Sequence, residues 1–467
     1  MSGPRAGLAL CLIMASGGVL MSCGSSDRPS ADDYASAVTV QVHDHTKTIL
    51  VVSWTQTIEA ESTWLEFTFE NDEVLTSRPS PGTAGAHEDV VLGVPADTDV
   101  AIRVVSRHAG TDYKTRDYVG RTGALPAGLP RPEVIAYDPI RASPERYMLA
   151  AVEDSLGGCG PPCYNQWTHW IYIMDRKGRM VWYYADPASS ATSFCQRVAR
   201  DGEYVWIPKR PFAGVGGAGV LKMTLDGKHF EEIPVPISDC IDVTDDGSVL
   251  FDTTAGVLSE RDRHGRVRQI WSCPAHFGPA FYCYSNTVNW TAASNTIFLS
   301  FPEENTVVEI DRGSGALVGQ YGDAPGSYAF SPATWEFEYQ HFPNLTPEGT
   351  LIVSSHLPGH SDTYQPVAGQ HAFVEFAVDR SSRTLIERWV YAAGPEWPMY
   401  KGMAVRLANG NTLANYGSGG VIREITPDKQ TVFHVKFDVP EGDDFHNKMV
   451  GHNELVADLY ALNAGPD

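Results

Sequence analysis

The sequence predicts an all-β chain in which a small β-sandwich precedes a six-bladed β-propeller. Three observations carry that prediction. Gly 43 and Pro 31, together with Tyr 20 and Trp 11, favour short strands joined by turns over long helices. Apolar residues alternate with period two in short runs between positions 37 and 124. From position 133 onward an Asp-centred hairpin recurs six times, each inside a unit of about four strands.

Taken in order, the chain opens on Arg5 and a largely apolar run, Ala6 to Leu20, too short to span a membrane. Leu20-Met21-Ser22-Cys23 follows and resembles a bacterial lipobox, which makes 1–23 a lipoprotein signal peptide and Cys23 the lipid-modified residue. A plain secretory signal cut nearby is the alternative. The polar stretch 24–36 reads as a flexible tether. Export with lipid anchoring to the bacterial cell envelope is the localisation this implies, and the anchor is the only membrane contact expected.

Residues 37–124 hold Val38-Thr39-Val40-Gln41-Val42, Ile49-Leu50-Val51-Val52-Ser53-Trp54, Trp64-Leu65-Glu66-Phe67-Thr68-Phe69 and Asp99-Val100-Ala101-Ile102-Arg103-Val104-Val105. Their alternation, with Trp54 as the core candidate, suits a sandwich. Leu92-Gly93-Val94-Pro95-Ala96-Asp97-Thr98 before a strand resembles fibronectin type III domains. Residues 125–132, rich in proline, form a stiff linker.

The propeller is predicted over 133–467. Turns at Asp201-Gly202, Asp246-Gly247, Ser294-Asn295, Glu348-Gly349 and Asn409-Gly410-Asn411 each precede an apolar strand. The repeated hairpins are Asp175-Arg176-Lys177-Gly178, Asp226-Gly227, Asp262-Arg263-His264-Gly265, Asp311-Arg312-Gly313, Asp379-Arg380 and Pro427-Asp428. Asp-Gly and its relatives take the tight turn that strand twist demands. Six hairpins predict six blades, and radial repetition protects the strand edges.

Lys+Arg 35 against Asp+Glu 57 gives a net charge of -22, which repels phosphate backbones and excludes nucleic acid as a partner. Without Cys11 and Cys23, six cysteines remain in a non-reducing compartment: Cys159, Cys163, Cys195, Cys240, Cys273 and Cys283. Disulfides are the expectation. Cys159/Cys163 and Cys273/Cys283 are near enough in sequence to staple loops, which leaves Cys195 and Cys240 as the third pair. A metal site built from cysteines is the weaker alternative, because C-x3-C lacks a second matching knuckle. The stretch from His356 to His371, with His360, Asp362 and Tyr364 inside it, reads as an insertion within a blade and matches no metal-ligand spacing. His446 and His452 flank the last strand and read as surface or capping residues. No metal and no cofactor are expected.

Across the propeller region the chain resembles the bacterial arylsulfotransferase family. The likeness rests on Gln340-His341 leading to Glu348-Gly349-Thr350-Leu351, on Tyr284-Ser285-Asn286-Thr287-Val288 leading to Ser300, on Leu407-Ala408-Asn409-Gly410-Asn411-Thr412-Leu413, and on Glu454 to Tyr460. The resemblance implies transfer of a sulfuryl group from a phenolic sulfate to a phenol through a sulfated histidine. It places His341 as that nucleophile. Blades point the starts of their inner strands into one channel, which predicts a ring of Phe194 or Cys195, Asp239 or Cys240, Tyr284, His341, and Lys401 or Gly402. Tyr284 and Asn286 join His341 as catalytic candidates, while Lys401, Asp239 and Phe194 are the substrate-binding ones. The chain departs from the family where a His-x-Asn becomes Tyr284-Ser285-Asn286, where an arginine becomes Pro302, and where a further histidine becomes Asp239 or Cys240. A tethered propeller that binds a small aromatic or sugar ligand, or a protein, without turnover is the alternative function.

Overall fold

The computed structural model describes residues 30–71, 73–154, 168–185, 197–198, 202–209, 218–333, 336–356, 371–392, 401–437 and 449–464. Cys23, Cys159, Cys163, Phe194, Cys195, His360, Asp362, Tyr364 and His446 lie outside them.

The amino-terminal unit is a sandwich of two antiparallel sheets. One joins Ala35–Val42, Leu50–Gln56 and Gly85–Val91; the other is built on Ala60–Thr68 and Asp99–His108. Period-two alternation puts Val52, Trp54, Leu65, Phe67, Ile102 and Val104 between the sheets, all buried. The unit starts earlier than the sequence pattern indicates. Ala31–Tyr34 form a helical turn whose Tyr34 is buried, and Ala35 already pairs with Gln56, so the tether read over 24–36 gives way to folded chain by about Ala31.

Six further sheets, counted over the described residues, form the blades of a six-bladed propeller. Their innermost strands are, in order, Val450–Val456, Arg197–Val198, Ile241–Val243, Val288–Thr291, Glu338–Leu345 and Gly402–Arg406. Closure uses both ends of the propeller sequence. Val450–Val456 pairs with Tyr147–Asp154 as the inner strand of blade 1, and Pro132–Tyr137 pairs with Thr431–Phe437 as an added outer strand of blade 6. Pro132, placed in the linker by sequence, therefore belongs to a strand, at an edge where its missing N–H costs no ladder bond. Apolar side chains fill every seam: Trp206 and Phe251 lie between blades 2 and 3, Leu258 and Ile297 between 3 and 4, Phe298 and Phe376 between 4 and 5, Phe373 and Tyr416 between 5 and 6, Tyr172 and Phe437 between 6 and 1, and Ile173 and Leu221 between 1 and 2.

Candidate functional site

The starts of four consecutive inner strands bring Asp239, Tyr284, His341 and Lys401 to one end of the channel. Their contacts chain together. The Tyr284 hydroxyl donates to Asp239 Oδ2 at 3.3 Å, and Lys401 Nζ donates to both Asp239 oxygens at 3.4 Å. Asp239 is 3 % exposed, so protein groups, Tyr284 and Lys401 among them, take the place of bulk water around its carboxylate. The one-residue ambiguities of the sequence resolve as Asp239 and Lys401 for these contacts. Cys240 is disulfide-bonded, and Gly402 packs its Cα against Ser354, where an added Cβ would sit 1.9 Å from Oγ.

His341 owes its position to an irregular strand. The register between Glu338–Leu345 and Leu351–His356 slips on both sides of His341, and Tyr339 (φ 44) and Phe342 (φ 54) adopt left-handed backbone. Lys401 does so too, at φ 68. Non-glycine residues rarely hold such conformations, and they gather where surrounding structure over-determines them. Here blade 4 supplies the grip. Asn286 Nδ2 and Ser300 Oγ both donate to the Gln340 carbonyl at 3.0 Å, the Thr287 hydroxyl accepts from Phe342 N–H at 3.0 Å, and Gln340 Nε2 reaches Ser300 Oγ and the carbonyls of Phe301 and Thr306. Asn286 therefore positions the His341 strand through its amide.

The tautomer of His341 follows from its partner. Nδ1 lies 3.0 Å from the Tyr339 carbonyl oxygen, which can only accept, so Nδ1 carries the proton and the lone pair is on Nε2. Nε2 makes no hydrogen bond to the described residues, and part of the ring surface remains open. Burial, with His356 and Lys401 nearby, drives the imidazole pKa down to about 3, against smaller opposing effects of the Tyr339 carbonyl and Asp239. His371 is likewise held well below the usual histidine range, by burial first and then by His356 and His341. Its Nε2 is 2.8 Å from Ser354 Oγ, and its ring is 6.4 Å from that of His356, which stacks on Tyr339 at 6.0 Å.

His356 and His371 thus close a strand pair directly beneath the site, opposite one another in register. Sequence reading treated them as the ends of an insertion and missed this role; the apolar strands Leu351-Ile352-Val353 before and Ala372-Phe373-Val374 after them were the available signal. His452 also departs from expectation. It lies on the inner strand of blade 1, buried, with its ring 4.2 Å from Phe342. Pro302 begins a short 3-10 turn after Thr296–Phe301 and brings no charge near the site. No group of three or more His, Cys, Asp or Glu side chains fit to hold a metal occurs among the described residues. A cavity of about 890 Å³ lies at the opposite end of the channel, among Asp242, Asn289, Asn344 and Asn453, away from the His341 cluster.

No family model and no curated protein matches the chain. Solved structures do. Inactive virginiamycin B lyase from Staphylococcus aureus aligns with 15 % identity over 54 % of this chain and 71 % of its own, at a TM-score of 0.35. Regucalcin from Agrobacterium tumefaciens, a calcium-binding protein, aligns with 9 % identity over 52 % and 73 %, at 0.34. A chain of the nidogen/laminin complex aligns with 8 % identity over 66 % and 97 %, at 0.38.

Proposed function

We propose that the protein is an arylsulfotransferase-like enzyme with His341 Nε2 as the nucleophile. The observation that carries this reading is a neutral imidazole with its proton on Nδ1, its Nε2 without a hydrogen bond among the described residues, and a lysine, a tyrosine and an aspartate arrayed on the neighbouring strand starts. In the reaction, the Nε2 lone pair attacks sulfur of an aryl sulfate and the S–O(aryl) bond breaks. The departing phenolate takes the Tyr284 proton. An acceptor phenol then attacks the sulfohistidine, the N–S electron pair returns to Nε2, and the Tyr284 oxygen regains a proton from the acceptor. Lys401 supplies the positive charge for the sulfonyl oxygens that Pro302 cannot. Small phenolic compounds are the partners this chemistry needs.

The test is transfer from 4-nitrophenyl sulfate to phenol by the purified protein. Ping-pong kinetics and a sulfated His341 peptide are expected, with transfer lost in His341→Asn. Unchanged transfer in that variant defeats the reading. The replacement of a family arginine by Pro302 favours a second reading, a propeller that binds aromatic or sugar ligands without turnover. Ligand-dependent thermal stabilisation with no transfer at any donor concentration would select it.

A further inference from the structure

The connection from the outer strand of blade 3 to the inner strand of blade 4 leads to Tyr284 at the His341 end of the channel, and it is tied down at several points. A disulfide joins Cys273 to Cys283 with a Cα–Cα distance of 5.7 Å. Cys273 N–H donates to the Gly256 carbonyl, and Gly256 lies so close that a Cβ there would meet Cys283 Cβ at 2.5 Å. Inside the loop, Phe281 stacks on Phe277 at 4.0 Å and meets the buried Phe301 edge-on at 5.4 Å. Tyr282 follows, its N–H donating to Glu304 Oε1 at 2.7 Å. Its side chain points away from that apolar anchor. Tyr282 is 56 % exposed, and its ring centroid lies 6.2 Å from that of Tyr284 at an interplanar angle of 35°.

A large exposed aromatic on a flexible loop is unremarkable, since single apolar residues are common on surfaces. Tyr282 differs because disulfide, glycine contact, phenylalanine stack and carboxylate restrain its backbone, so a ligand that settles on the ring does not also have to order the loop. Tyr284, which the Tyr282 ring faces, contacts Asp239 and through it Lys401.

We infer that Tyr282 is a specificity-determining residue: its ring is a stacking platform that holds the aromatic ring of a substrate at the channel mouth beside Tyr284. This rests on the His341 transfer reading for the word substrate, but aromatic recognition itself needs no chemistry. A saturated ring of the same size lacks the π-face and gains little from the platform.

The experiment compares full-length wild type, Tyr282→Phe and Tyr282→Ala by calorimetric titration with 4-nitrophenol and with cyclohexanol. Stacking of this kind corresponds to about 3- to 10-fold in affinity. Wild type and Tyr282→Phe are expected to bind 4-nitrophenol equally, Tyr282→Ala about 3- to 10-fold more weakly, and cyclohexanol is expected not to discriminate among the three. Equal 4-nitrophenol affinity in wild type and Tyr282→Ala, or no binding to wild type, overturns the inference. A transfer assay on the same proteins separates the two ideas. Tyr282-dependent binding by a wild-type protein that shows no transfer keeps the platform and removes the enzyme. Transfer that needs His341 yet has the same KM for 4-nitrophenyl sulfate in Tyr282→Ala removes the platform and keeps the enzyme.

Discussion

At His341 the protonation state is set by what surrounds the ring, and it has a measurable sign. In the unfolded chain the imidazole titrates near its ordinary value, whereas in the fold it does so at about 3. Between about pH 6.5 and pH 3 the unfolded chain therefore binds a proton that the folded one refuses, and stability falls as pH falls through that window. The slope is about 1.4 kcal/mol per pH unit for each such histidine, and His371 adds to it in the same direction. The denaturant midpoint of wild type, measured from pH 7.5 to 4.5, is expected to fall more steeply as the pH drops than that of His341→Asn. Parallel curves would show that the ring titrates normally. For activity the same depression predicts no loss of nucleophile between pH 8 and 5, so a transfer rate that declines with an apparent pKa near 6.5 contradicts the assignment. Lys401→Gln is expected to lower kcat by about 100- to 1,000-fold, the usual consequence of removing one charge that acts on a developing oxyanion. At this scale Asp239, Tyr284, His341 and Lys401 were legible as a group, because the hairpin register alone says where inner strands start. The exact residue at two of those starts was not. Asp239 against Cys240 and Lys401 against Gly402 differ by one step, and a left-handed residue such as Lys401 or a slipped register such as that around His341 leaves no periodic trace.

Among the blades a second repeat appears that hydrophobic pattern did not reveal. The arginine after the hairpin aspartate reaches across a seam to a glutamate on the third strand of the blade before it. Arg312 pairs with Glu260 at 2.7 Å, Arg380 with Glu309 at 2.9 Å, and Arg176 with Glu424 at 3.4 Å. Asp311-Arg312, Asp379-Arg380 and Asp175-Arg176 were visible as turn chemistry; their partners sit about 50 to 250 positions away, and only ring closure brings Arg176 to Glu424. That last pair is the most deeply buried, with side-chain exposures of 6 % and 0 %. Glu424 also accepts from Ser143 N–H and Oγ and from Asn411. Exposed ion pairs contribute little, but leaving one member of a buried pair uncompensated costs about 3–5 kcal/mol. Arg176→Ala should therefore destabilise the whole ring by about that amount in urea. Arg141→Ala, which breaks an exposed pair with Asp428, should leave the urea midpoint nearly unchanged. Equal losses in the two variants would mean that the seam between blades 6 and 1 is held by apolar packing alone.

For the molecule as a whole, the issue is whether sandwich and propeller are two stable bodies or one. Ion pairs such as Arg146–Glu73 at 2.6 Å, Lys228–Glu88 at 2.8 Å and Arg78–Asp458 at 3.3 Å cross between them with both members about half exposed, and Arg179–Glu70 crosses with side chains 31 % and 38 % exposed; pairs this exposed contribute little. The apolar contact is of another kind. Ile49, Val90 and Leu92 of the sandwich are buried in one cluster with Leu149, Val181, Leu459 and Leu462 of the propeller. Tyr460 ties the same place together, its hydroxyl donating to the Val90 carbonyl at 3.0 Å and accepting from Leu92 N–H at 3.1 Å. Leu459 and Tyr460 immediately follow the strand that closes blade 1, so a loss at this contact is transmitted to ring closure. Sandwich and propeller should accordingly unfold in one transition that is nearly indifferent to salt. Leu92→Ala, a large-to-small change at a site 3 % exposed, should lower the stability of that single transition by about 2–5 kcal/mol. Calorimetry checks this directly. Two separated transitions in wild type, or a Leu92→Ala variant in which only a small first transition moves, would show that the sandwich is an appended module and that the closing strand holds without it.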